Sequence, residues 1–423
     1  MAVRASDPSS PAEGPGTCRA WWHRAACALA VLVLPAAAGA EASPYYLGVS
    51  ETVYTDTNLY RLGDRQSLPA GVDSRSELIL ATALVGGFDQ NYSRQHLSGS
   101  VALRNNRYTR NSPLSYNGYS LDLGWDWSTV NNLSGTVQYG AKRSLRRFDS
   151  AETLGTFAGQ NIETDRNLDL TARLGLVTRL TAVGTLSHQE VDYSAAAYRS
   201  AVTRINVASL GVQYQAAGRL LWGAAWRDTG QRYPAAADRV SRHDLDLTLG
   251  WTPSDLSNVK ARVSRTSTTH SARHNNDFQG TTWQLAASTQ ATGKLKLGTS
   301  LARDVGTTTS LFSNPQDGST IQGQFNRRST SLGLTADFQA SAKTGFNSSW
   351  TQVWRELSPV RADGSVAQGS DRTSTFSLGA RWAASRSTQF SCNWARELRS
   401  ADATVSAAYS STSVNCSGQF VIQ

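Results

Sequence analysis

From about residue 45 to the end of the chain, apolar and polar residues alternate with a period of two. That spacing puts successive side chains on opposite faces of a β-strand. Tyr119, Leu121, Leu123, Trp125 and Trp127 share one face, while Ser120, Asp122, Gly124 and Asp126 share the other. Residues 243–251 repeat the arrangement, with Leu245, Leu247, Leu249 and Trp251 opposed to Asp244, Asp246, Thr248 and Gly250. Residues 133–141, 168–176, 330–338 and 376–382 follow the same rule. Eighteen strands are expected, with sixteen as the alternative count. They start near residues 45, 76, 96, 118, 133, 166, 180, 204, 220, 242, 256, 280, 294, 329, 344, 374, 388 and 412.

The connections alternate in length. Short ones fall at residues 89–91, 128–132, 177–179, 215–219, 252–255, 289–293, 339–343 and 384–387. Long ones include residues 55–75, 143–161, 304–326, 356–373 and 399–411. Short periplasmic turns alternating with long outer loops is the layout of bacterial outer-membrane barrels. A soluble sandwich also alternates along its strands, but nothing makes it keep that rhythm around the whole chain. Shared among eighteen strands, residues 41–423 allow about 21 residues for each strand and connection, and a tilted membrane-crossing strand takes about 9–11. The expected fold class is therefore all-β, a transmembrane antiparallel β-barrel with both ends on the periplasmic side. Trp125, Trp127, Trp251 and Trp382 fall at short-turn ends of strands, and Trp226 and Trp354 nearer long-loop ends, as two interfacial girdles require.

Residues 1–40 read as a cleavable signal peptide and residues 41–423 as the barrel. Arg19, His23 and Arg24 precede an apolar run over residues 25–34, Pro35 breaks it, and Ala38-Gly39-Ala40 offers a cleavage site before Glu41. The run is too short to cross a bilayer. The implied location is the cell outer membrane, reached by export through the inner membrane. Removing this segment takes three arginines and two acids with it, so the formal charge of +9 falls by one.

Composition supports the same class. Charged residues make up 17%, glycines number 34, and mean hydropathy is −0.37. Polarity alone would also suit a disordered chain, but 12 Trp, 14 Tyr and 11 Phe exclude that class. A basic balance can serve nucleic acid. In an exported chain it points instead to an anionic surface or substrate, so the expected partners are outer-membrane lipid and a polysaccharide, an acidic one included, and no nucleic acid.

A barrel of this size is wide enough for a water channel unless it is plugged. On the inward face the alternation places Arg104, Lys142, Arg173, Arg227, Lys260, Arg262, Lys296 and Arg381, together with Asp122, Asp126, Asp169, Asp244, Asp246 and Asp337. This is a mixed lumen with a mild basic excess. It reads either as a positive track for an acidic sugar polymer or as a wall of cross-strand ion pairs. With residues 252–255 as a tight turn, Asp246 falls opposite Arg262. The outer loops add Arg107, Arg110 and Arg232, and a dense basic patch of Arg143, Arg146 and Arg147. That patch could gather a polyanion or touch outer-leaflet phosphates.

Catalytic signatures are missing: the chain has no G-x-S-x-G elbow and no H-E-x-x-H. His270 and His274 have one helical ligand spacing but lie in an expected loop without a third ligand nearby. No catalytic residue, metal or cofactor is expected, and the chain does not read as an enzyme. Cys392 and Cys416 remain after cleavage, one in the seventeenth strand and one in the last, both on the apolar face. If residues 399–411 form a symmetric connection, the two stand directly opposite, with Cβ atoms about 4.5 Å apart. A disulfide stapling the C-terminal hairpin is expected, two free thiols being the alternative.

The first strand running into Tyr54-Thr55-Asp56-Thr57-Asn58-Leu59-Tyr60-Arg61-Leu62, strands such as Leu249-Gly250-Trp251, and the ending Cys416-Ser417-Gly418-Gln419-Phe420-Val421-Ile422-Gln423 carry a resemblance. The chain resembles the EpsL-type exopolysaccharide-biosynthesis outer-membrane proteins of exosortase-linked loci. It departs from the usual barrel ending, which finishes on an aromatic residue. The resemblance implies a non-catalytic part in exopolysaccharide biosynthesis or export, as a channel or scaffold. Two other readings stand beside it: a general or solute-specific porin, and a structural outer-membrane anchor for other export-complex proteins.

Overall fold

The computed structural model describes residues 43–148, 158–175, 179–216, 219–236, 238–271, 277–305, 310–313, 320–323, 328–357, 369–402 and 407–422. The export-signal reading of residues 1–40 lies outside them. The strands are β1 (Tyr45–Asp56), β2 (Glu77–Tyr92), β3 (Gln95–Tyr108), β4 (Tyr116–Ser128), β5 (Leu133–Leu145), β6 (Ile162–Leu174), β7 (Leu180–Tyr193), β8 (Thr203–Gln215), β9 (Leu220–Tyr233) and β10 (Asp238–Ser254). They continue with β11 (Ser257–His270), β12 (Phe278–Thr292), β13 (Leu295–Val305), β14 (Ser310–Ser313), β15 (Thr320–Gly323), β16 (Arg328–Gln339), β17 (Thr344–Leu357), β18 (Gly369–Ala383), β19 (Thr388–Ala401) and β20 (Tyr409–Ile422).

Strands β14 and β15 pair only with each other, and the remaining strands form one 18-stranded sheet. Each strand of that sheet pairs antiparallel with its neighbours in the chain, and β1 pairs with β20 as well as β2. The sheet is thus a closed up-and-down barrel with no free edge. Among the described residues no helix is long and apolar enough to cross a membrane. A closed barrel crosses with strands, because every backbone N–H and C=O finds a partner in the ladder.

The surface is inside-out relative to a soluble domain. Leu210 is 71% and Leu247 60% exposed on the outer wall, while Asp244 and Thr266 on the inner wall are 0% exposed. Only lipid makes such a surface stable in contact with its surroundings. The protein is an outer-membrane β-barrel. Two outward glycines show how the aromatics are seated. A Cβ on Gly135 would lie 2.6 Å from the Trp127 ring, and one on Gly99 2.4 Å from the Phe88 ring. Each ring therefore folds down over a neighbouring strand where a side chain would block it.

Because the lumen is polar, the described apolar core sits at the long-loop rim. Leu59, Tyr60, Leu62, Ile79, Tyr108 and Leu114 form it, with Tyr54, Tyr116, Leu145 and Phe148 packed against it. The connection from β1 to β2 is what closes this cluster.

Candidate functional site: the lumen and its mouth

The mouth is organised by the end of β1. The Asp56 carboxylate accepts hydrogen bonds from the Asn58 backbone N–H at 2.8 Å, the Tyr54 hydroxyl at 2.9 Å, Arg61 Nη1 at 2.9 Å and the Ser411 hydroxyl at 2.6 Å. The Asn58 amide donates to the Leu62 and Ser410 carbonyls at 2.8 and 2.9 Å, and its oxygen accepts from the Leu62 N–H at 2.9 Å. Arg61 adopts a left-handed backbone, φ 56°, which lets this turn close. Residues 54–62 therefore form a clasp joining the first long loop to β20. Burial pushes the Tyr60 phenol up to about 12, with Glu77 and Asp73 adding to it, so the clasp holds no titrating tyrosine near neutral pH.

Glu397 on β19 draws charges to the same place. Arg61 Nε lies 3.6 Å from it, the Tyr409 hydroxyl donates to it at 2.6 Å, and Arg147 from the β5–β6 connection pairs with it. Arg61 and Arg399 stack over the Tyr409 ring at 5.9 and 4.8 Å. Residues on β1, β19, β20 and two long connections thus meet on one side of the mouth. Glu77 clamps the next connection, accepting from the N–H groups of Thr109, Arg110 and Asn111 at 2.9 Å each. Sequence reading missed Asp56, Glu77 and Glu397 as organising groups. For Asp56 an acid at a strand end before a run without alternation was the available signal; Glu77 at a strand start and Glu397 within β19 carry no such mark.

The lumen has two unlike walls. On β9 to β13 the charges toward the long-loop end are paired and buried. Arg227 makes a forked contact with Asp246 at 3.0 and 3.1 Å and reaches Asp244 at 3.2 Å. Arg242 makes a fork to Asp244 at 2.8 and 3.1 Å and extends to Asp304 at 2.9 Å. The hydroxyls of Ser264 and Thr266 donate to Asp246 and Asp244, each at 2.5 Å. Every buried charge here has an opposite charge and further hydrogen bonds, which is what burial of an ion requires. Elsewhere the lumen charges are open: Arg104 on β3, Lys142 on β5 and Arg381 on β18 are exposed, as are Asp122 and Asp126 on β4, and so is Lys260 toward the short-turn end of β11. Arg104 on β3 and Lys142 on β5 are separated by Gly118 and Ser120 of β4, so nothing bulky stands between them.

The register puts all eight expected lumen cations on the inner face, with Arg173, Arg262 and Lys296 half-buried. One pairing needs correction. Asp246 faces Ser264 and Arg262 faces Thr248. Strand β10 runs on to Ser254 through a bulge after Trp251, so the turn is shorter than expected and the register shifts by two residues. The expected loop patch also divides. Arg143 lies within β5 on the outer wall, beside lumen-facing Lys142. Arg146 stacks on Tyr198 at 4.4 Å and Tyr193 at 5.2 Å, and Arg147 turns to Glu397. Arg107 and Arg232 likewise belong to β3 and β9. The strands extend past the membrane, so residues expected in loops are still on ladders.

Cys392 and Cys416 are paired in register on the outer face and form a disulfide, with Cα atoms 4.1 Å apart. His270 is buried with its backbone N–H donating to Asp277 at 2.7 Å, and His274 lies outside the described residues. Among the described residues no group of three or more His, Cys, Asp or Glu is placed to hold a metal.

No family model matches the chain, and no curated protein matches it. Solved structures are similar in fold. Pseudomonas aeruginosa OccK2 (OpdF) is 11% identical with a TM-score of 0.49, covering 89% of this chain and 98% of its own. The outer membrane protein OpdK of the same organism is 12% identical with a TM-score of 0.47, covering 89% and 99%. The siderophore receptor PirA, also from that organism, is 10% identical with a TM-score of 0.42, covering 91% and 81%. The fold and membrane assignments stand on the chain's own strand order and inside-out surface.

Proposed function

We propose that the barrel is a non-catalytic, porin-like channel that passes polar solutes, with a mild preference for anions. The observation that carries this reading is the exposed wall. Inside a closed barrel Arg104, Lys142, Lys260, Arg381, Asp122 and Asp126 remain in contact with solvent. Charged side chains without a buried partner stay ionised only where water reaches them, so this reading requires a wet lumen. The paired wall on β9 to β13 then serves as scaffold, and the exposed wall sets selectivity. Conductance across a planar bilayer tests this directly. Discrete open-channel steps with a reversal potential on the anion side are expected, and a barrel silent under all salts and voltages rejects the channel.

A second reading is a part in exopolysaccharide export, as a conduit or as an anchor for other export-complex proteins. It is favoured by the clasp at Asp56–Leu62, because the stretch that resembles the EpsL-type proteins shapes the mouth where a polymer would leave. Deleting the gene separates the two. Loss of secreted polysaccharide with unchanged solute uptake favours export, and the reverse favours the porin.

A further inference from the structure

The outward positions of the barrel are chemically unequal at the two rims. At the short-turn ends they carry Tyr45, Leu174, Leu180, Trp251, Trp382 and Phe420. At the long-loop ends they carry exposed arginines, among them Arg107, Arg143, Arg265, Arg303, Arg372 and Arg396. Arg303 follows Leu295 by eight residues, about 20 Å of height at the strand tilt usual for such barrels. That is where the apolar belt gives way to the outer head groups.

On β6 to β8 this girdle is neutralised within the chain. Arg166 lies 3.7 Å from both Glu190 and Asp192, and Arg204 lies 3.1 Å from Glu190. On β13 to β18 it is not. Arg303, Thr330, Trp354 and Arg372 stand in one row across four neighbouring strands, each paired in register with the next. They line a cleft of about 540 Å³ together with Arg328. The Arg372 guanidinium lies 5.9 Å from the Trp354 ring centre and that of Arg328 5.9 Å from the Phe278 ring centre, which fixes both in orientation. The acids on the lining already have partners. Asp371 is held in a fork by Arg355, Glu356 lies 3.5 Å from Arg328, and Asp402 accepts from the Ser370 N–H at 2.7 Å. Among the described residues neither Arg303 nor Arg372 has a carboxylate partner.

We infer that this cleft binds the phosphate of an outer-leaflet phosphorylated glycolipid. Arg303 stands beside Thr330 and Arg372 beside Trp354 in this row, and planar guanidinium groups with a hydroxyl in the same cleft suit a phosphoryl group. The exposed Trp354 face beside them suits a sugar ring or the head of an acyl chain. Arg303, Thr330, Trp354 and Arg372 all face outward at the height of lipid head groups, with inward Arg355 and Asp371 behind them, so the phosphate they meet is carried by lipid.

The test is a titration of the detergent-solubilised full-length barrel with purified lipid A, followed by native mass spectrometry. Lipid A binds the native barrel, and Arg303→Ala with Arg372→Ala weakens it about thirtyfold. Arg386→Ala, at the short-turn rim, leaves binding unchanged. Dephosphorylated lipid A binds as weakly as the double variant. If the double variant does not show the heat-modifiable migration of a folded barrel, Arg303→Gln alone weakens binding about fivefold. The inference is overturned if folded variants bind lipid A as tightly as the native barrel, or if dephosphorylated lipid A binds equally well. It is also overturned if millimolar inorganic phosphate displaces lipid A completely, since the cleft is then a site for free anion.

Discussion

Two dipeptides in this barrel have nearly the same composition and opposite surroundings on their two sides. Arg303-Asp304 lies near the end of β13, and Asp371-Arg372 near the start of β18. In each, the acid points inward to a buried arginine: Asp304 to Arg242 at 2.9 Å, Asp371 to Arg355 at 2.6 and 2.8 Å. In each, the arginine points outward and is exposed. On a strand adjacent charges are sent to opposite faces, so the barrel wall separates a closed, satisfied interior network from an open, unsatisfied exterior girdle. The same residue type is structural on one side and available to a partner on the other.

The largest expected effect falls on the interior network. Asp244→Ala strands Arg227 and Arg242 with too few carboxylates in a buried setting, a loss of about 3–5 kcal/mol. Urea unfolding of the reconstituted barrel should show a markedly lower midpoint or no folded form. An unchanged midpoint would mean that water already solvates this wall. Next comes the staple. Replacing Cys392 and Cys416 by serine removes a cross-link of sequence separation 24, about 3 kcal/mol in the chain-entropy account. The oxidised native barrel and the double variant should differ by that amount, and the difference should vanish under reductant.

The exterior side should respond little in stability. Arg372→Ala changes it by less than about 1 kcal/mol, as is usual for exposed charges, while Asp371→Ala, its neighbour in sequence, costs several times more by leaving Arg355 unpaired. Equal losses from the two would erase the distinction between the faces. The smallest effect on folding, and the most informative for transport, comes from the exposed lumen wall. Arg104→Glu with Lys142→Glu should leave the unfolding midpoint in place and move the bilayer reversal potential toward cations. A potential that does not move would assign selectivity to the mouth instead.

Much of this architecture was legible because lipid and water impose a simple rule on alternate residues. Every expected strand start lies within five residues of an observed one. The larger shortfalls, at Gly369, Ile162 and Asp238, share a cause. These strands are entered from long connections and begin above the apolar belt, as Asp371 and Arg372 or Asp165 and Arg166 show. There both faces are polar and alternation carries no signal. The cysteine pairing was legible from spacing because the last connection is nearly symmetric. The Asp246 partner was not, because a bulge after Trp251 leaves no mark in the pattern. The clasp at Asp56 and Asn58 depends on a backbone turn and on carbonyls of β20 more than 300 residues away in sequence, as the separation of 352 between Asn58 and Ser410 shows. Periodicity reads faces, and it is silent on such contacts.

The Cys392–Cys416 bond also constrains how the molecule comes into being. Both sulfurs end on the lipid side of the wall. Thiol oxidation proceeds through a thiolate, a charged species that hydrocarbon excludes. The bond is therefore made in water, before lipid surrounds the last hairpin. Strands β19 and β20 are thereby held in register by a covalent link. On its other side β20 meets β1, and the Asn58 amide on the Ser410 carbonyl fastens that seam at the mouth.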